Sequence, residues 1–192
     1  IHAHDVTLEV EGANVLPPLG IHRAALEAAG MHHEYRAERI AHPEQVLAGA
    51  KRSGKQMAVL AIDLDDFKAV NDLYGHAAGD AVLVTSAERM KQLLRESDVI
   101  ARLGGDEFVI VLGQVDDAEA AREVAGRVVE SLSQPVPLAG GKIARIGASV
   151  GIAMCCAGGE TLDALLKKAD AALYAAKRDG KRTYREAAAP GV

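Results

Sequence analysis

From Met57 onward, hydrophobic and polar positions fall into a series of short, ordered blocks. MAVLAID (57–63) is a continuous apolar run ending in an acid, the pattern of a buried strand. Asp66–Leu73 predicts a short helix that stops at Gly75, and residues 77–96 predict a longer one with Leu83, Ala87, Met90 and Leu94 on one face. Val99–Leu103 and Phe108–Leu112 are β-rich runs flanking a Gly-Gly pair, so they predict a hairpin. The helical period returns over Ala118–Leu132 through Ala121, Val124, Val128 and Leu132, until Pro135 and Pro137 end it. Gly140 and Gly141 turn the chain into a predicted strand over Lys142–Met154. The last long helix is predicted over Leu162–Arg178, with Leu162, Leu165, Leu166, Ala169 and Leu173 inward and Gly180 as its cap; Thr183–Arg185 follows as a short edge strand. Strands interleave with helices, yet a tight hairpin sits mid-chain. The pattern therefore predicts an α/β (α+β mixed) fold, a central mixed five-stranded sheet flanked by helices rather than a purely parallel doubly wound sheet.

Residues 1–50 are less regular. They hold six of the seven histidines, a Pro17-Pro18 break and two helix-like pieces near 22–29 and 33–52, the second interrupted by Pro43. The spacing of His2, His4, His32 and His33 gives no clear metal-ligand geometry. This stretch is read as a divergent, partly helical segment, 51–187 as the functional domain, and 188–192 as a disordered tail.

Composition narrows the function classes. At 192 residues the chain suits one domain with an appended segment, and 49% hydrophobic residues suffice for a core. Aromatics make up 3% and Trp is absent, which argues against a stacking platform for single-stranded nucleic acid. A net charge of −5 argues against a broad nucleic-acid or membrane face, so any phosphate ligand must be held by a few local groups or by metal ions. No apolar run reaches the roughly 20 residues that span a bilayer, and no signal peptide is visible. The expected location is cytoplasmic, or the cytosolic part of a membrane-anchored protein. The chain opens with Ile1 and is taken as a piece of something longer, with sensor or effector domains upstream or downstream. Cys155 and Cys156 are adjacent, too close for an unstrained disulfide and without zinc spacing, so they read as small apolar residues near a strand.

Chemistry concentrates in two places. The first is IDLDDFKAVND (62–72), where a buried strand ends and Asp63, Asp65 and Asp66 appear. Carboxyl ends of strands are where ligands gather in open α/β sheets, and a turn into a helix exposes backbone N–H groups that can cradle phosphates. Lys68 adds a mobile positive charge. An EF-hand loop is excluded, because Phe67 and Lys68 stand where a ligand and a glycine belong. A haloacid-dehalogenase-like phosphatase also runs a strand into Asp-x-Asp, but continues with Gly-Thr or similar where Asp66-Phe67 stands here. A helix N-terminus merely decorated with favourable acids is the plain alternative. The second place is the hairpin tip, where Asp106 and Glu107 follow Gly104 and Gly105. If the first strand lies beside the hairpin, these acids approach Asp63. Converging carboxylates repel. Magnesium, usually held by one or two carboxylates plus substrate phosphates, would relieve that repulsion.

At this point five blocks stand in order: DLDDFKAVND (63–72), GHAAGD (75–80), RLGGDEF (102–108), SVGIA (149–153) and ADAALYAAKRDGK (169–181). Over 57–185 the chain resembles the GGDEF family, the diguanylate cyclases. The resemblance implies a fold similar to the palm of nucleotide polymerases and adenylyl cyclases. It implies condensation of two GTP into cyclic di-GMP and two pyrophosphates, by attack of each 3′-hydroxyl on the other's α-phosphate across a homodimer of such domains. Carried over by position, Asp63, Asp106 and Glu107 would be catalytic. Asp63, Asp106 and the Leu64 carbonyl would hold magnesium, with manganese as the alternative. Asp66, Phe67 and Lys68 would surround the phosphates, Asn71 and Asp80 would read the guanine edge, and Gly104 and Gly105 would let the nucleotide pass close. Lys177 and Lys181, one turn apart at a helix end, would reach the terminal phosphates, although many relatives carry Arg where Lys181 stands. RESD (95–98) matches the family's RxxD inhibitory site, so Arg95 and Asp98, helped by Arg102, would bind the product cyclic di-GMP; the plain alternative is an Arg–Asp pair closing a helix. The family's DxLTGLxNR segment is absent, with only a faint echo at 16–30. An alternative function within the family is a non-catalytic module that senses GTP or cyclic di-GMP and regulates a partner domain.

Overall fold

The computed structural model describes residues 56–155 and 160–188. The helix-like pieces expected near 22–29 and 33–52, and Cys156, lie outside them.

Strand β1 (Gln56–Asp65) is the centre of a five-stranded mixed sheet ordered β2-β3-β1-β6-β7. Its neighbours are β3 (Glu107–Val115) and β6 (Gly147–Cys155), both antiparallel; β2 (Val99–Gly104) pairs antiparallel with β3, and β7 (Tyr184–Glu186) runs parallel to β6. The expected palm-like order of a hairpin beside a central strand is therefore present. Period-two alternation divides β1 between two cores. Ala58, Leu60, Ile62 and Leu64 face helices α1 (Phe67–Tyr74), α2 (His76–Leu93) and α3 (Ala118–Leu132), through Phe67, Val70, Val82, Leu83, Met90, Ala121, Val128 and Leu132. Met57, Val59 and Ala61 face α4 (Leu162–Arg178), through Leu165, Ala169 and Leu173. β1 is buried on both faces, which is why it reads as a continuous apolar run rather than an alternating one.

Local chemistry sets the ends. Asp117 and Thr161 cap α3 and α4 by accepting from Ala120 N at 2.9 Å and Ala164 N at 3.2 Å. Arg89 on α2 forks onto the last turn of α3 and the residues beyond it, donating to Ser131 O at 3.2 Å, Gln134 O at 2.8 Å and Pro135 O at 2.8 Å. Of these, the Ser131 carbonyl is one that the helix terminus leaves without an intrahelical partner.

Two elements differ from expectation. The strand expected over Lys142–Met154 is broken: β5 (Ile143–Ala144) pairs with β4 (Val136–Pro137) in a separate small sheet, and β6 starts only at Gly147. Buried Ile146 sits at the switch between the two sheets. β1 also runs two residues past Asp63, because Leu64 is buried and β6 continues to pair with it through Leu64↔Ala148 and Asp65↔Gly147. Among the described residues no helix is long and apolar enough to cross a membrane.

Candidate active site

The sheet register brings the two acidic stretches together. Asp63 of β1 stands directly opposite Glu107 of β3, and directly opposed residues put their side chains on one face. By alternation that is the α4 face, shared with Met57, Val59 and Ala61. The Leu64 amide donates to the Asp106 carbonyl at 3.1 Å and ties the strand end to the hairpin tip. In an antiparallel ladder a residue's N–H and C=O leave the strand on the same side, so the Leu64 carbonyl faces the tip as well. Gly105 takes the left-handed conformation (φ 52°) that the two-residue turn requires. Arg102 fastens that turn, donating from Nε and Nη2 to Gly105 O at 3.0 and 2.8 Å.

From the other side, α4 brings Lys177, whose Nζ lies 2.6 Å from Asp63 Oδ2. Close approach of α4 depends on Gly151 in β6. A Cβ there would sit 2.0 Å from the Ala169 carbonyl oxygen and 2.2 Å from Leu173 N. Lys181 donates to Asp66 Oδ1 at 2.9 Å. The expectation that Lys177 and Lys181 are helix neighbours is corrected here: α4 ends at Arg178, and Lys181 lies beyond Gly180 in a left-handed conformation (φ 65°). Its ammonium still arrives above the same cleft.

That cleft, about 550 Å³, is lined by the predicted Asp63, Leu64, Asp66, Phe67, Lys68, Asp106, Lys177 and Lys181. Asp65, Ala69 and Asp72 also line it and carried no assigned role. Strand alternation placed Asp65 on the face of Asp63, and Asp72 is four residues from Lys68 on α1, so both signals were available. Glu107, Gly104 and Gly105 stand at the hairpin rather than in the lining. Asn71 and Asp80 sit at the α1–α2 junction, outside it too. There Gly79 leaves room for the Asn71 amide, whose Oδ1 would lie 2.0 Å from a Cβ on residue 79.

The electrostatics follow from the crowding. Glu107 is pushed above the ordinary glutamate range by desolvation first, then by the charges of Asp63, Asp106 and Asp170, with Lys177 opposing. Asp66 is held below its ordinary range mainly by the hydrogen bond from Lys181. A carboxyl whose folded pKa is raised stabilises the fold below its unfolded pKa and loses that contribution as pH rises through the folded value. Glu107→Gln is therefore expected to melt higher than the parent at neutral pH, without divalent metal. The gap should close as pH falls below the ordinary carboxylate range, in thermal melts between about pH 4 and pH 8. Equal melting temperatures at neutral pH would show that neither burial nor the neighbouring acids penalise the ionised Glu107.

The donor set suits a hard divalent cation. Two carboxylates and a carbonyl converge, and the nearest cation of the chain has been drawn onto one of them. Among the described residues no group of three or more His, Cys, Asp or Glu forms a cage. The residues thus fit a hard divalent cation held by one or two carboxylates, with other oxygen ligands completing its shell.

The RESD turn lies at the far end of the hairpin strands. Asp98 accepts from Arg95 N at 3.0 Å through Oδ2 and from Gly113 N at 3.2 Å through Oδ1, so it pins the turn to β3. The exposed Arg95 side chain makes no hydrogen bond or ion pair among the described residues, and no Arg95–Asp98 side-chain pair closes the helix.

Comparison with known proteins agrees with this geometry. The family model described as diguanylate cyclase, GGDEF domain, matches residues 38–183. The bifunctional diguanylate cyclase/cyclic di-GMP phosphodiesterase MucR of Pseudomonas aeruginosa is 45% identical over 141 residues, covering 73% of this chain and 20% of MucR. The crystal structure of the GGDEF domain of TpbB from Pseudomonas aeruginosa superposes with a TM-score of 0.72 at 41% identity, covering 76% of this chain and 91% of that one. The coiled coil and GGDEF domain of DgcB from Caulobacter crescentus, in complex with c-di-GMP, gives a TM-score of 0.68 at 27% identity over 74% of this chain and 75% of that one. The chain thus spans a fifth of the full length of MucR. With its signature at the hairpin tip, its acids on one sheet face and a family match over most of its length, the chain belongs to the diguanylate cyclase GGDEF domain family.

Proposed function

We propose that this domain condenses two GTP molecules into cyclic di-GMP, releasing two pyrophosphates. The observation that carries this reading is the joining of Asp63, Asp106 and the Leu64 carbonyl edge at one cleft, with Lys177 and Lys181 above it. Bound magnesium, or manganese, would supply Lewis-acid polarisation of the phosphates and a template for in-line displacement; Asp63, Asp106 and the Leu64 carbonyl would hold it.

The chain's own residues do the rest. The β1–α1 junction at Asp66, Phe67 and Lys68 binds the phosphates through backbone N–H groups of the first helical turn and the Lys68 charge. Lys177 and Lys181 exchange their carboxylate partners for the terminal phosphates when nucleotide and metal enter. Glu107, more basic than an ordinary glutamate, stands across from Asp63 where it can accept the 3′-hydroxyl proton. Asn71 and Asp80 bind the guanine edge. An acid accepts from N1–H and the exocyclic amine together, a pair adenine does not offer, so GTP is favoured over ATP. Each domain holds one GTP, and two domains face each other so that each 3′-hydroxyl attacks the other's α-phosphate.

Incubation with GTP and magnesium over a range of protein concentrations, with products resolved by chromatography, tests the reading. Cyclic di-GMP and pyrophosphate, with a rate that rises faster than protein concentration, support a dimeric cyclase. Tight GTP or cyclic di-GMP binding without turnover indicates the sensing module instead, and free phosphate indicates a hydrolase.

We further propose that Arg95 and Asp98, with Arg102, form a product-inhibition site. Arg95, exposed and without a side-chain partner among the described residues, supports this, and the DgcB relative was crystallised with c-di-GMP. Asp98 and Arg102 already have backbone partners, so Arg95 is the residue whose loss is expected to matter most. Arg95→Ala should raise the cyclic di-GMP concentration for half-inhibition by about tenfold or more, with the uninhibited rate unchanged. Superimposable inhibition curves for variant and parent would remove the site assignment.

A further inference from the structure

Asp65 is 2% exposed, and its hydrogen bonds go to neither the hairpin nor Lys177. Its carboxylate accepts from the fully buried Ser149 hydroxyl at 2.9 and 3.0 Å, and its Oδ2 also accepts from the backbone N–H of Arg182 at 2.9 Å. That last bond reaches 117 positions along the chain, into the loop after α4. The loop runs through three consecutive left-handed residues, Gly180 (φ 110°), Lys181 (φ 65°) and Arg182 (φ 50°). Glycine adopts this conformation without cost, but each of the other two carries about 1–2 kcal/mol of steric strain. Such backbone persists only where surrounding contacts over-determine it. Three groups do so here: the Ala176 carbonyl accepting from Lys181 N at 3.2 Å, Asp65 accepting from Arg182 N, and Gly147, whose missing Cβ leaves space for the Arg182 side chain 2.4 Å from where that atom would be. The result is that Lys181 projects back over the cleft to Asp66.

We infer that Asp65 is a positioning residue for GTP binding: through the Arg182 amide it locks the 180–182 loop so that Lys181 is held ready over the terminal phosphates. This rests on the phosphate-binding role proposed above for Lys181. The consequence is selective. Asp65 should govern affinity for the triphosphate end of the nucleotide and leave recognition of guanosine untouched.

The test compares binding of GMP with binding of a GTP analogue whose α–β bridge is a methylene group, so that no pyrophosphate leaves. Five variants accompany the parent. Asp65→Ala should weaken binding of the analogue by roughly tenfold or more, the worth of a hydrogen bond to a charged group, while GMP affinity stays at the parent value and reports an intact fold. Asp65→Asn should recover most of the loss, because a flipped amide can donate to Ser149 Oγ and still accept from Arg182 N. Arg182→Pro, at an exposed position, removes the N–H and forbids the left-handed φ; it should reproduce the Asp65→Ala loss even if that variant folds poorly. Arg182→Gly keeps the N–H and accepts the φ, so it should bind like the parent. A parent-like affinity for the analogue in Arg182→Pro overturns the inference, as does an equal loss for GMP and analogue. Lys181→Ala separates the two levels. If it does not weaken the analogue, the phosphate role of Lys181 fails and the inference falls with it. If it does, while Arg182→Pro does not, only the role of Asp65 fails.

Discussion

Asp63→Ala is expected to lower cyclic di-GMP formation on the order of a thousandfold or more, while the domain melts no lower than the parent. The size of the kinetic effect follows from what Asp63 would hold. Loss of a metal-binding carboxylate removes several kcal/mol of charge stabilisation in the transition state, and each ~1.4 kcal/mol is tenfold in rate. The absence of a stability cost follows from the packing. Asp63 ends the apolar run of β1 and is buried, but its side-chain partner Lys177 is partly exposed and can rehydrate, so removing the acid leaves no charge buried without a partner. Removing Asp63 also relieves one of the charges that lift Glu107. Single-turnover assays with GTP and magnesium, with thermal melts alongside, check both halves. A variant that retains more than a tenth of the parental rate would remove Asp63 from the metal site. Asp106→Ala should behave alike, since it stands at the tip bonded to the strand end.

Gly151→Ala is expected to destabilise the domain by roughly 3 kcal/mol or more. The new methyl would meet backbone atoms of α4, not the end of a flexible side chain: the Ala169 carbonyl at 2.0 Å, Leu173 N at 2.2 Å and Leu173 Cα at 2.8 Å. The helix must lift from the sheet, and Leu165, Ala169 and Leu173 lose contact with Met57, Val59 and Ala61. α4 also carries Lys177, so residual folded protein should bind GTP more weakly. Urea unfolding should show a lower midpoint at an unchanged slope. An unfolding free energy within a few tenths of a kcal/mol of the parent would show that α4 rides freely on β6. Within SVGIA, glycine at 151 is thus a condition of helix–sheet approach rather than of a turn.

These two positions mark the limits of what could be read in advance. The apolar run at 57–63, the helical periods at 118–132 and 162–178, and the glycines before Asp106 are local patterns, and the elements they predict are present. The break after β5 was not legible. Arg145 and Ile146 carry no turn chemistry, and the chain leaves one sheet for another there because Ile146 finds a place in the core. The placement of Lys181 escaped for a related reason. The Gly180 cap was legible and spacing set the two lysines one turn apart at the helix end, but no local pattern showed that Asp65, distant in sequence, holds the residues after Gly180 left-handed.

The sequence alone determined the inventory: which segments are strands and helices, which acids and lysines are available, and the family to which the ordered blocks belong, because these depend on neighbours within a few positions. Tertiary structure decided the meeting of Asp63 with Glu107 and Asp106, the Lys177 contact across α4, and the anchoring of the 180–182 loop by Asp65. Register between distant strands is set by which faces bury together, and no local pattern encodes the partner on the other side of a packed sheet.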